Sequence, residues 1–415
     1  MEFLGLVGEQ VSRYIEVWKV LLVHNVPIGI MIMESGAIRA AGQDGREFYS
    51  AQASKRSIEM EATLISKFST VTHFELPQLP NNIPFAYHPQ SATISPQIDE
   101  WMLRKMKITD QSVRKKMIHS KIGLYACMMY PNAEREKLVL AGKNLWALLL
   151  IDDLLESSSK EEMPRLNTTI TNLGSGNSRD GAIRNPVLLL YKEVLGELRA
   201  AMEPPLLDRY LHCLAASLEG VRKQVHHRTR KSVPGPEEYK LTRRANGFMD
   251  ILGGIMTEFC MGIRLNQAQI QSPTFRELLN SVSDYVILVN DLLSFRKEFY
   301  GGDYHDNWIS VLSYHGPRGI SFQDVIDQLC EMIQAEEHSI LALQKKIADE
   351  EGCDSELTKF ASELAMVASG SLVWSYLSGR YHGYDNPLIT GEIFSGTWLL
   401  HPVATVVFPS IKARP

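Results

Sequence analysis

Asn290, Ser294 and Glu298 stand four and four residues apart in the run Asn290-Asp291-Leu292-Leu293-Ser294-Phe295-Arg296-Lys297-Glu298. On a helix this spacing lines up an amide oxygen, a hydroxyl and a carboxylate on one face. Val286, Ile287, Leu288 and Val289 precede them, so the row begins inside a packed helix. Burying such groups without partners costs roughly 1–3 kcal/mol for each neutral one and more for the carboxylate. Something must satisfy them. Oxygen ligands alone, with neither thiolate nor imidazole, suit a hard cation, and Mg²⁺ is the common one. The alternative is a solvated polar stripe.

Three other stretches offer matching chemistry. In Asp152-Asp153-Leu154-Leu155-Glu156, Asp152 and Glu156 share a helical face. The run Leu145 to Ile151 before them is apolar nearly all round, which argues for a buried helix. Clustered carboxylates there repel one another; a divalent metal, a buried arginine or protonation would neutralise them. Between Tyr239 and Gly247, Arg243 and Arg244 precede Asn246-Gly247, a helix-breaking pair. A break lets the helix bend, and arginine suits bidentate contact with phosphate oxygens. At least one of the two arginines is expected at the surface. Between Trp374 and Tyr381, Arg380 and Tyr381 are phosphate donors. Trp374 lies about two turns earlier, where it can face the same cavity. The alternative makes Trp374 core and Arg380 a helix C-terminal cation.

The elements that must position these groups are helical. Apolar residues recur at helical spacing over Ile98 to Met106, Arg114 to Met129, Asn132 to Glu156, Val187 to Met202 and Leu206 to Val225. The pattern continues over Pro236 to Leu265, Thr274 to Tyr300, Phe322 to Ala348 and Asp354 to Tyr381. Strand-like alternation is almost absent. Residues 76–98, with Pro77, Pro80, Pro84, Pro89 and Pro96, read as an extended segment that helices cannot use. The expectation is an all-α, single-domain helical bundle over residues 76–390. Residues 1–75 read as an N-terminal extension, with helices over Ser12 to Val23 and Ala51 to Phe68, and 391–415 as a C-terminal tail.

Composition narrows the function classes. The chain has 415 residues and a net charge of −5, which argues against a broad nucleic-acid surface. Its five cysteines are scattered without a CxxC pair, as suits a reduced, cytoplasmic protein. The apolar run Val20 to Met33 is broken by His24, Asn25 and Pro27 and is too short to span a bilayer. The basic run Arg222 to Lys231 reads first as a solvated helix end and second as a lip for an anionic substrate.

In this order, the four stretches resemble the class I terpene cyclases of the microbial type over roughly residues 80–381. Asp152 to Glu156 resembles the family's aspartate-rich motif, with Glu156 where many members have Asp. Asn290, Ser294, Lys297 and Glu298 resemble its second metal motif. Arg243 or Arg244 resembles the diphosphate-sensing arginine; Arg243 is preferred, because Tyr239 and Gly247 flank it as the family pattern has them. The ending at Arg380-Tyr381 resembles the terminal diphosphate-binding pair. An animal member, as in octocorals, is one home the long extension suggests.

The resemblance implies three Mg²⁺ ions held by Asp152, Asp153 and Glu156 on one side and Asn290, Ser294 and Glu298 on the other. Arg243, Lys297, Arg380 and Tyr381, with Arg244 as a further contact, would grip the diphosphate. The reaction implied is ionisation of an isoprenyl diphosphate and cyclisation of the allylic cation. Geranylgeranyl diphosphate (C20) is favoured and farnesyl diphosphate (C15) comes next. Trp374, Phe248, Tyr125 and Trp146 are by position the aromatic candidates for the cavity wall, with plain core the first reading for all but Trp374. A monomer or homodimer is expected. The rivals are a chain-elongating prenyl diphosphate synthase, which would normally show two DDxxD motifs, and a non-catalytic helical isoprenoid-binding protein.

Overall fold

Helix starts follow the caps. Asn185 accepts from the Val187 and Leu188 amides ahead of Pro186, Asp110 from Val113, Asn307 from Ile309 and Ser355 from Thr358. Ser321 and Asp324 form a reciprocal capping box. In a computed structural model, the described residues are 59–68, 74–77, 79, 82–159, 161–176, 183–301, 304–382 and 404–405. The expected helix at Ser12 to Val23 and most of the 391–415 tail lie outside them.

The described chain is almost wholly helical, as expected. Helix α1 spans 59–68. It is followed by α2 (Ser91–Lys105), α3 (Gln111–His119), α4 (Ile122–Met129), α5 (Arg135–Glu156), α6 (Met163–Gly174), α7 (Pro186–Ala201) and α8 (Pro204–Thr229). Then come α9 (Pro236–Asn246), a π-helical turn (Asp250–Ile255), α10 (Met256–Met261), α11 (Gln267–Gln271) and α12 (Pro273–Gly301). The last are α13 (Trp308–His315), α14 (Phe322–Glu351), α15 (Glu356–Leu377) and α16 (Gly379–His382). Among the described residues the one strand pairing is antiparallel and two residues long, Glu75 opposite Thr405 and Leu76 opposite Ala404.

Three boundaries differ from the periodicity. α2 starts at Ser91 and carries Pro96 inside it, where extended chain is expected. Ile94, Ile98 and Met102 bury the same stripe completely, and that burial outweighs a proline cost of about 3 kcal/mol. The Arg114 to Met129 pattern is two helices, broken at Lys121, whose φ is +55°. The Pro236 to Leu265 pattern breaks at Gly247-Phe248, with Phe248 at φ +54°. That strained turn passes straight into the π-helical one.

Helix α12 packs against α14 and α15; α5 packs against α2, α4 and α7; α8 lies along α9. Phe68 of α1 is buried among Phe295, Phe299, Tyr304 and Phe322, with ring centroids 5.1–6.1 Å away. The last turns of the expected extension therefore pack into the same body as α12.

Candidate active site

Helix α12 presents the row as its spacing dictates. Asn290 and Glu298 are half-buried and Ser294 is buried. Ser294 Oγ donates to Glu298 Oε1 at 2.5 Å, and Asn307 Nδ2 donates to Glu298 Oε2 at 2.9 Å. Burial, then the Asp291 charge, pushes the Glu298 carboxyl up to about 7, against the pull of Ser294, Lys297 and Asn307. Asn290 turns both ways: its Nδ2 donates to the Tyr381 hydroxyl at 2.6 Å, and its Oδ1 accepts from Arg243 at 3.0 Å.

Asp291, one position round the helix, is fully buried. Its Oδ1 accepts from Arg243 at 2.8 Å, and its Oδ2 accepts from the Tyr239 hydroxyl at 2.5 Å and the Trp308 amide at 2.9 Å. This carboxylate anchors Arg243 so that the guanidinium also reaches Asn246 Oδ1 at 3.1 Å.

The α5 carboxylates divide. Asp153 is buried against Arg380, with Nη2 to Oδ1 at 2.9 Å and Nη1 to Oδ2 at 3.5 Å. Its oxygens face the Arg380 guanidinium. Asp152 is half-buried. Burial, then Glu156 and Asp153, pushes its carboxyl well above the usual range, while Arg243 and Arg380 pull the other way. The fields of both arginines therefore reach it. Glu156 Oε1 accepts from Gln224 at 3.0 Å, and its carbonyl accepts from Arg228. The Arg380-Tyr381 turn joins the two halves, since Arg380 holds α5 and Tyr381 holds α12.

The chemistry of this donor set fits a divalent cation. Asp152 and Glu156 crowd negative charge at a partly accessible edge, and the α12 row adds an amide, a hydroxyl and a carboxylate. Among the described residues no three His, Cys, Asp or Glu side chains gather closely enough to hold an ion by themselves. Asn290 and Ser294 belong to neither of those classes.

Other expected residues sit elsewhere. Arg244 binds Asp284 through Nε to Oδ1 at 2.6 Å and Nη2 to Oδ2 at 2.5 Å, beside Lys240 at 3.0 Å. Neighbours on a helix are about 100° apart, so Arg243 faces the site and Arg244 is corrected to a structural ion pair. Trp146 donates to Asp99 on α2 at 2.8 Å and is core; it is no cavity wall. Trp374 donates to the Ser120 carbonyl at 2.8 Å, stacks on Tyr125 at 4.2 Å and meets Tyr381 edge-on at 5.3 Å. It joins the Arg380-Tyr381 turn to the core. Phe248 is buried, and its carbonyl receives the Ile251 and Leu252 amides. Lys297 is half-buried and acts on Glu298 through its charge.

Sequence reasoning missed Gln224, Arg228, Asp306 and Asn307. Arg228 lies in the basic run that read as solvated; Arg222 of that run does pair with Glu219 in the open. Asp306 is buried, and its carboxyl is pushed well up by burial while Arg243 and Arg228 pull it down. Nothing in the local pattern marks it or Asn307.

Residues 143–339 match the family described as Terpene synthase family 2, C-terminal metal binding. A (3S,6E)-nerolidol synthase of Selaginella moellendorffii is 74% identical over 83% of this chain and 93% of its own. An (E)-2-epi-beta-caryophyllene synthase of the same organism is 41% identical over 84% and 96%. These relatives do not support the animal home. A solved linalool/nerolidol synthase from Streptomyces clavuligerus superposes with a TM-score of 0.63 at 20% identity, over 72% of this chain and 99% of that one. Among the described residues no helix is long and apolar enough to cross a membrane. The chain belongs to the terpene synthase family, of the microbial type, and is a lyase.

Proposed function

We propose that this terpene synthase ionises farnesyl diphosphate, and that its main product is an acyclic C15 allylic alcohol. The observation that carries the site reading is Arg243, which binds Asn290 and Asp291 on one side and acts on Asp152 on the other. Two oxygen-rich helix faces thus share one diphosphate donor. Arg243, Arg380, Tyr381 and Lys297 converge from α9, α16 and α12 to stabilise the charge that grows on the diphosphate as the allylic C–O bond breaks. Asp153 we assign to orienting Arg380. Asp152, Glu156, Asn290, Ser294 and Glu298 would hold Mg²⁺, three ions by the family resemblance, whose charge would lower the barrier to departure of the diphosphate.

The substrate assignment rests on the relatives. The products named for those at 74% and 41% identity are C15 compounds, and a Streptosporangium roseum relative at 25% is named as farnesyl diphosphate cyclizing. They give the C20 preference no support. Nerolidol is an unclosed tertiary alcohol, so water must reach the allylic cation; caryophyllene formation needs ring closure with water held off. A reduced cytoplasmic setting fits the free cysteines.

The test is incubation of the purified protein with C10, C15, C20 and C25 diphosphates and Mg²⁺, with gas chromatography of the extracts. An acyclic C15 alcohol as the main product is expected. Turnover of the C20 substrate alone would overturn the assignment, and a cyclic C15 hydrocarbon would move it to the caryophyllene type.

A further inference from the structure

Gly220, Gln224 and Arg228 recur at four-residue spacing along one face of α8, and all three meet the region around the site. A Cβ on Gly220 would lie 2.6 Å from the Asn246 amide nitrogen and 2.8 Å from the Ala245 Cβ. The two helices therefore touch at backbone, and only glycine permits it. One turn further on, Gln224 reaches in two directions. Its Nε2 donates to Glu156 Oε1 at 3.0 Å, and its Oε1 accepts from Asn246 Nδ2 at 2.7 Å. Asn246 Oδ1 in turn accepts from Arg243 at 3.1 Å. Another turn on, Arg228 donates to the Glu156 carbonyl.

Every bond in this chain points the same way. Arg243 donates to Asn246, Asn246 to Gln224, and Gln224 to Glu156, so the run leads from a cation to an anion. Bonds aligned in series polarise one another and strengthen. Only a side chain with both a donor and an acceptor can occupy the middle. Glu156 carries one more methylene than the aspartate common at its position, and so has one more torsion to restrain.

We infer that Gln224 is a positioning residue that ties Glu156 to Arg243, so that α5 and α9 engage magnesium diphosphate as one unit. The inference rests on the metal-diphosphate reading above. It assigns Gln224 no contact with substrate. Its role is to keep the Glu156 carboxylate in register with Arg243, which lies 19 positions beyond Gln224.

The test uses the full chain and inorganic diphosphate, titrated by calorimetry across a Mg²⁺ series. Gln224→Met keeps length and approximate volume but neither donates nor accepts. Its melting temperature should stay within a few degrees of the parent, while diphosphate affinity at fixed Mg²⁺ falls about tenfold, the loss of one charge-assisted hydrogen bond. In an Asn246→Leu background the same substitution should cost less than threefold, because the chain between Arg243 and Gln224 is already cut. Gln224→Glu, which keeps the shape but sets a carboxylate against Glu156, should lose at least as much and serves if the methionine variant folds poorly. Affinity within twofold of the parent, or an equal loss in both backgrounds, would refute the coupling. No Mg²⁺-dependent diphosphate binding by the unaltered protein would remove the metal reading and this inference with it.

Discussion

Replacing Asp291 with asparagine tests the anchoring of Arg243 with almost no change of volume. The carboxylate makes three bonds, to Arg243, Tyr239 and Trp308, with no exposed surface. All three partners are donors, and an asparagine has one acceptor oxygen. If that oxygen stays with Tyr239 and Trp308, the new NH₂ faces the guanidinium; if it turns to Arg243, the NH₂ faces two donors. Either arrangement leaves a buried cation or a pair of donors unsatisfied. Breaking a buried ion pair from one side costs about 3–5 kcal/mol, and the retained acceptor recovers part of that, which leaves roughly 3 kcal/mol by the range for unmet buried groups. At about 2.1 cal/mol/K of unfolding entropy per residue, a body of roughly 300 residues melts about 1.5 °C lower per kcal/mol, so Asp291→Asn should lower the melting temperature by about 4–5 °C. Arg243 loses its anchor, so turnover should fall by at least tenfold at temperatures where the variant is still folded. Differential scanning calorimetry beside a diphosphate-release assay measures both. A variant melting within 2 °C of the parent with unchanged turnover would show that Asp291 does not hold Arg243.

Other outcomes follow from the same geometry. Arg243→Gln should cut turnover a hundredfold or more, an expected scale for a lost transition-state donor of about 3 kcal/mol, whereas Arg244→Gln should leave it nearly intact, because Lys240 still serves Asp284; equal losses would void the facing argument. Gly220→Ala should destabilise by about 1–3 kcal/mol through overpacking against the Asn246 backbone, read as a shifted urea midpoint. EDTA should abolish product and Mg²⁺ restore it, and undiminished product in EDTA would end the metal argument.

A pH series in EDTA tests Glu298. Its folded carboxyl titrates at about 7 against an ordinary 4.5, so the folded state binds the extra proton between those values. Stability should fall as pH rises through that window. Glu298→Gln should flatten the slope, and an unchanged slope would place the titrating group elsewhere.

The helices were legible wherever an apolar stripe ran without a break, as in α5, α8 and α12. They were misread at Lys121, where the turn is made by a residue type with no turn preference at positive φ, whereas the break at Gly247-Phe248 falls where the Asn246-Gly247 pair marks one. Pro96 misled in the opposite direction, because burial of its neighbours outweighed local propensity. The row on α12 and the Asp152–Glu156 pair could be read because fixed helical periodicity converts spacing into a shared face.

Spacing within one helix says nothing of what lies across from it. The sequence alone determined that the described chain is helical, which oxygen-bearing residues share a helix face, and that Arg243 and Arg244 cannot both point one way. Tertiary structure alone decided that Asp153 faces Arg380, that Asp291 anchors Arg243, and that Gln224 and Arg228 leave the solvated run to meet Glu156. Those pairings join residues 48 to 227 positions apart, and only the packing of whole helices brings such residues within hydrogen-bond range.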